Sequence, residues 1–193
     1  IISLAPSNTE ILFALGLGER VVGVTEFCNY PPEALEKEKI GGFSNPSIEK
    51  IIALEPDIVL ATSIHRKTVI PELEKRGIKV FALAPKNLDE IFEGIELCGL
   101  LFGVERKALL LVKEMRGVIK EVRDKVKGRE KKKVFYLTWH EPIWTSGSGT
   151  FAHELIEIAG GENIFGDKKG WIMVTLEEVI ERDPQVIVAS TGY

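Results

Sequence analysis

The sequence predicts an α/β fold of two similar lobes, each with a parallel sheet, joined by one long α-helix. Three observations predict it. Short apolar runs alternate with helical ones, which is the pattern of parallel βαβ units and a doubly wound sheet. A long amphipathic run lies mid-chain, and a stretch of the first half recurs in the second.

In order along the chain, Ile1 to Leu4 reads as a buried strand, and Ser7 with Glu10 form a capping box that opens a helix. That helix stops at Gly16 and Gly18, and Val21 to Thr25 is the next strand. Ser47 to Leu54 is a short helix, Pro56-Asp57 turns the chain, and Ile58 to Ala61 is a strand. Val69 to Arg76 is helical up to Gly77, and Ile78 to Leu83 follows as a strand. Asn87 to Phe102 is a helix. From Val104 to about Lys127 a longer one places Ala108, Leu111, Met115, Val118, Val122 and Val126 on one stripe. At 1.5 Å per residue it reaches roughly 36 Å. The basic run Arg129 to Lys133 reads as a solvated linker, a strand begins at Val134, and Gln185 to Ala189 is another.

The duplication supports two lobes. Residues 47–62 (S-I-E-K-I-I-A-L-E-P-D-I-V-L-A-T) align with 175–190 (T-L-E-E-V-I-E-R-D-P-Q-V-I-V-A-S). Glu49/Glu177, Ile52/Ile180, Pro56/Pro184 and Ala61/Ala189 are identical, and eight further pairs are conservative. Glu10-Ile11-Leu12 leading to Gly18-Glu19-Arg20 is echoed by Glu154-Leu155-Ile156 leading to Gly161-Glu162-Asn163. The expected organisation is an N-terminal lobe over 1–103, a connecting helix over 104–128 and a C-terminal lobe over 129–193 that is incomplete in this chain.

Composition narrows the function. A net charge of −4 argues against a nucleic-acid surface, which needs a basic face. The apolar runs are too short to span a bilayer. Cys28 and Cys98 make no disulfide framework and fit no zinc spacing, so they read as buried thiols, with a single bridge as the alternative. Gly16-Leu17-Gly18 precedes a strand, the wrong order for a dinucleotide fingerprint. Gly147-Ser148-Gly149-Thr150 opens a helix without a P-loop lysine, so an anion cradle and a plain capping turn both fit it. No Ser, Cys or His sits at nucleophile spacing with an acid. His65, His140 and His153 lack the spacing of a metal site.

Ligands of open α/β sheets bind at the carboxyl ends of the strands. Here those ends carry Pro6-Ser7-Asn8, Phe27-Cys28-Asn29-Tyr30, Ser63-Ile64-His65 and Trp139-His140-Glu141. Trp139, Trp144 and Trp171 fall in loops or strand ends, as do Tyr30 and Phe43, which suits a cleft gripping a large flat ligand. Glu49 and Glu177 occupy the first turn of equivalent helices, where favourable alignment with the macrodipole already accounts for an acid.

The blocks I-S-L-A-P-S-N-T-E-I-L-F-A-L-G-L-G (2–18), N-Y-P-P (29–32), G-G-F-S-N-P-S-I-E-K-I-I-A-L-E-P-D-I-V-L-A (41–61), W-T-S-G-S-G-T-F (144–151), E-L-I-E-I-A-G-G-E-N-I-F (154–165) and G-W-I-M-V-T-L-E-E-V-I (170–180) resemble periplasmic cobalamin-binding proteins. These are helical-backbone substrate-binding proteins of ABC importers for cobalamin, haem and ferric siderophores. The resemblance implies two Rossmann-like lobes with a ligand in the cleft between them, no enzymatic activity and no resident cofactor. It implies a corrinoid ligand, cobalamin or cobinamide, held by Tyr30, Phe43, Trp139 and Trp171 with Trp144 close by; the strand-end positions add Ser7, Asn8 and His65 as expected ligand-binding residues.

Phe43 stands where a cobalamin binder carries tryptophan, and the family's last strands and helices lie outside this sequence. Haem or a ferric siderophore is the alternative ligand, with His65 or His140 as an axial ligand; a divalent metal and a two-lobed α/β enzyme rank below. The resemblance further implies that Glu49 and Glu177 dock on arginines of a paired permease, so the partner is an ABC importer permease dimer and not nucleic acid. The expected location is extracytoplasmic, with membrane contact only through the permease or a lipid anchor.

Overall fold

The computed structural model describes residues 1–189; Ser190, the last position of the aligned repeat, falls outside them. The chain divides into two compact units, residues 1–84 with 94–111, and residues 85–93 with the chain from 112 onward.

The first unit holds β1 (Ile2–Ser3), α1 (Pro6–Ala14), β2 (Gly23–Val24), β3 (Glu38–Lys39), α2 (Ile48–Ala53), β4 (Ile58–Ala61), α3 (Val69–Glu74) and β5 (Lys79–Ala82). Its five strands lie in the order β3-β2-β1-β4-β5, every pair parallel. Ile2 sits between Gly23 and Val59, and Ser3 between Val24 and Leu60. The central strands β1 and β4 are buried on both faces, since Ile2, Ser3, Val59 and Leu60 are all without exposure; Ile2, Leu4, Ile40 and Val59 pack with Ile51 of α2 and Leu73 of α3 in one core. β3, only two residues of Glu and Lys, carries no apolar signal and is legible only from its pairing.

The expected capping box at Ser7 and Glu10 does not form. The helix starts earlier, at Pro6, with Ala5 as an extended N-cap that makes no side-chain bond. Proline supplies the helical φ and has no amide to satisfy, so it sets the start by itself.

α4 (Leu88–Phe102) and α5 (Glu105–Val126) follow, and each contributes residues to both units. Their crossing depends on Gly99: a Cβ there would lie 2.5 Å from the Ala108 Cβ. The C-terminus of α4 receives a hydrogen bond from Arg20 Nη1 to the Phe102 carbonyl, 3.2 Å, with the guanidinium over the Phe102 ring.

The second unit holds β6 (Lys132–Leu137), β7 (Trp139–His140), β8 (Ile143–Ser146), α6 (Phe151–Ile158), β9 (Gly161–Asn163), β10 (Trp171–Met173), α7 (Leu176–Arg182) and β11 (Val186–Ala189). One sheet is parallel, β11-β6-β9, and matches the order β4-β1-β2 of the first unit. A second, β10-β8-β7, is antiparallel and was not anticipated from the sequence. Phe135, Ile164, Phe165 and Val179 make the core, with Ile143 and Ile172 packed against it.

The repeat is visible in the backbone. Ser47 caps α2 by accepting from the Lys50 amide, and Thr175 caps α7 by accepting from the Glu178 amide, both at 3.2 Å. Each helix is followed by a left-handed residue directly before a proline, Glu55 (φ 44°) and Asp183 (φ 50°). Among the described residues these are the non-glycine positions with positive φ. Burial differs between the copies: Leu60 is fully buried in β4, and its counterpart Val188 in β11 is 44% exposed. No helix among the described residues is long and apolar enough to cross a membrane.

Candidate functional site

At the carboxyl ends of β1, β2 and β4 the first unit gathers its predicted residues into two kinds. Asn8, His65 and Cys28 are interior. The Asn8 side-chain amide donates to the Ala61 carbonyl at 3.0 Å and ties the first turn of α1 to the end of β4. Cys28 Sγ lies 3.2 Å from the hydroxyls of both Thr9 and Thr25, and Thr9 Oγ1 lies 2.8 Å from Ser3 Oγ. Both cysteines are free and buried, and burial pushes the Cys98 thiol up to about 11.

His65 is fully buried. The Thr62 amide donates to its Nδ1 at 3.0 Å, and its Nε2 lies 2.7 Å from the Phe43 carbonyl. Both ring nitrogens are thus used inside the protein. The ring also meets Phe43 edge-on, centroids 5.6 Å apart. The outward group is Ser7, Phe43 and Tyr30; Tyr30 is 63% exposed, and Phe27 of the same strand-end segment is similarly exposed.

The second unit organises the tryptophans by strand register. Trp139 on β7 lies opposite Trp144 on β8, and Trp144 lies opposite Met173 on β10. Trp171 lies opposite Ser146. Directly opposed residues share a face, and so do residues two apart on one strand. Trp139, Trp144, Trp171, Met173 and Ser146 therefore occupy one face of the antiparallel sheet. The other face presents Ile143 and Ile172 to the core.

Trp139, Trp171 and Met173 are exposed. Phe151 meets Trp171 at 5.7 Å and Tyr136 meets it at 6.4 Å, which widens the aromatic area. Met173, Phe151 and Tyr136 were missed from sequence; the run Trp171-Ile172-Met173 alternates, and that was the available signal. Trp139 Nε1 donates to the Glu141 carbonyl at 2.8 Å, and its ring lies 5.5 Å from that of His140.

The glycine-serine segment before α6 is a capping turn. Thr150 Oγ1 accepts from the His153 amide and donates to the Gly147 carbonyl. A side chain at Gly147 would collide with the Lys168 carbonyl. His153 lies on α6 within 3.3 Å of the Asn163 amide nitrogen, a contact inside this unit. At the base of the unit Arg182 holds Asp167 through two bonds and lies over Phe165, so the hydrogen bonds from Arg182 hold the Asp167 carboxyl below its ordinary range.

A cavity of about 600 Å³ lies between α4, α5 and α6, lined by residues such as Phe92, Arg116, Arg123 and Glu154. None of the predicted site residues lines it. Its carboxylates are engaged: Asp89 by Arg116, Glu154 by the Leu88 amide and Glu157 by Lys131. Glu49 and Glu177 are exposed, each in the first turn of its helix. Among the described residues no group of three His, Cys, Asp or Glu side chains gathers as a metal site.

The fold class is α/β with parallel sheets in each unit, and the outward chemistry at the strand ends is aromatic. Residues 1–192 match the model of the family described as periplasmic binding protein, and the chain belongs to that family. It is a binding protein rather than an enzyme, with an extracytoplasmic location. It is 38% identical over 200 residues to an uncharacterised ABC transporter substrate-binding lipoprotein, YvrC, of Bacillus subtilis; that alignment covers 100% of this chain and 63% of the relative. Its structure is similar to the periplasmic vitamin B12-binding protein BtuF of Vibrio cholerae, with TM-score 0.83, 32% identity, 98% of this chain and 75% of that one. The periplasmic haem-binding protein RhuT of Roseiflexus, in apo form, is similar with TM-score 0.88 and 26% identity, over 97% and 74% of the two chains.

Proposed function

We propose that this chain belongs to an extracytoplasmic substrate-binding protein that captures a corrinoid, cobalamin or cobinamide, for an ABC importer. The observation that carries the reading is the aromatic face of the antiparallel sheet, with Trp139, Trp144, Trp171 and Met173 turned away from the core. A flat macrocycle of corrin size gains dispersion and burial from such a platform, and needs few polar anchors. Tyr30, Phe43 and the Ser7 hydroxyl are the proposed contributions of the first unit. Asn8 and His65 act behind them, since their polar atoms are bonded inside the protein. The 32% identity to a vitamin B12-binding structure supports the same ligand class.

Haem is the second reading, favoured by the likeness to a haem-binding structure and by the exposed His140 beside Trp139. Calorimetric titration with cyanocobalamin, dicyanocobinamide and haemin separates them. Binding of either corrinoid with silence toward haemin is the expected result. Haemin binding that disappears in His140→Ala would replace the corrinoid reading with the haem one. Trp171→Ala is expected to weaken the corrinoid by about tenfold or more, the scale of a buried aromatic anchor.

Glu49 and Glu177 are the proposed docking carboxylates. Their equivalent, exposed places on repeated helices suit a two-fold symmetric permease that offers the same arginine pocket twice.

A further inference from the structure

We infer that His65 is a positioning residue, whose imidazole fixes the Phe43 loop in the shape that a ligand meets; this rests on the proposed role of Phe43 in binding. The atoms assign the mechanism. A backbone amide can only donate, so the Thr62 amide at 3.0 Å makes Nδ1 the lone-pair nitrogen. The proton is therefore on Nε2, and it is donated to the Phe43 carbonyl at 2.7 Å. One ring thus joins the turn after β4 to the loop between β3 and α2.

Backbone contacts close the base of that loop and loosen when its tip is released: Gly41 bridges to Pro46, the Ser47 amide donates to the Ile40 carbonyl at 2.7 Å, and the Glu26 amide donates to the Gly41 carbonyl at 3.0 Å. The imidazole secures the tip, where Phe43 sits. Complete burial keeps water from competing for either nitrogen, and the edge-on contact at 5.6 Å fixes the phenyl ring as well as its carbonyl. A loop ordered before the ligand arrives loses less freedom on binding, which raises affinity without any contact from His65 itself.

The two nitrogens can be replaced separately. In His65→Gln the side-chain amide can still donate to the Phe43 carbonyl, whereas His65→Asn keeps an acceptor for Thr62 and loses the reach to Phe43. Hydrogen exchange of the ligand-free protein is the first measurement. His65→Asn is expected to speed exchange of the Ser47 and Glu26 amides and of residues 41–47 by about tenfold, and His65→Gln to leave them near wild type. Equal behaviour of the two variants, or protection unchanged in His65→Asn, overturns the inference.

Calorimetry with cyanocobalamin is the second measurement. His65→Asn is expected to weaken binding by about tenfold, the scale of one lost hydrogen bond, in the wild-type background and not in Phe43→Ala. The same loss in both backgrounds means that His65 acts on the ligand by another route and overturns the inference. A wild-type protein that ignores cyanocobalamin refutes the corrinoid reading, while the exchange measurement still decides the role of His65.

Discussion

Single residues at the strand ends divide into those that face outward and those that hold them. Asn8 is 2% exposed and its amide reaches the Ala61 carbonyl. Asn8→Ala removes one of two donors to that carbonyl and leaves the Leu83 amide at 3.0 Å, so thermal or urea unfolding should show a loss of about 0.5–1.5 kcal/mol, the scale of one hydrogen bond. The sequence set Asn8 and His65 at the carboxyl ends of strands; in the structure Asn8 lies in the first turn of α1 and His65 in the turn after β4. Their partners could not be read, because Asn8 bonds to a residue 53 positions away and His65 to one 22 away. The capping box failed for a local reason: Pro6 outranked Ser7 as a start signal. The two thiols are a cleaner case. Composition and apolar context indicated buried free cysteines, and the structure has both buried and unbridged. Both thiols are buried, and burial also pushes Cys98 up to about 11, so an aromatic disulfide reagent at pH 8 should label neither cysteine until denaturant is added.

The elements show how far periodicity carries. Long helices and four-residue apolar strands were legible because many residues repeat one pattern. The antiparallel sheet was not, since β7 has two residues and β10 three, too few to establish a period. The tryptophans could be located outside helical stripes, but their common face emerges only from pairing. Helix crossing was hidden as well. At Gly99 a Cβ would sit 2.5 Å from that of Ala108, so Gly99→Val should destabilise by about 1–3 kcal/mol in chemical denaturation.

The left-handed residue before each repeated proline is strained in the opposite sense. Glu55→Gly should stabilise by up to about 1 kcal/mol, because glycine removes the Cβ penalty and gives back part of it in chain entropy. On α3, hydrogen bonds from Lys75 and Arg76 pull the Glu72 carboxyl down to about 2. A depressed carboxylate favours the folded state above its ordinary range, and that contribution fades as pH falls toward 2. Carboxyl-resolved NMR titration should find its midpoint well below those of the other glutamates.

For the whole molecule the repeat is the organising fact. Four identities over sixteen positions were modest as a sequence signal. The matching caps, the paired left-handed residues and the common strand order β2-β1-β4 and β9-β6-β11 make it structural. It also places Glu49 and Glu177 equivalently, which a list of acidic residues could not do. On the proposed docking role, Glu49→Ala with Glu177→Ala should leave corrinoid calorimetry unchanged and reduce uptake through the importer. Full uptake by that double variant would remove the assignment. The aromatic sheet has one more consequence. All three indoles of the chain lie on a single face of three short strands. The tryptophan emission of the protein therefore comes from that one face, a native optical gauge that reads the sheet's surroundings without any attached dye.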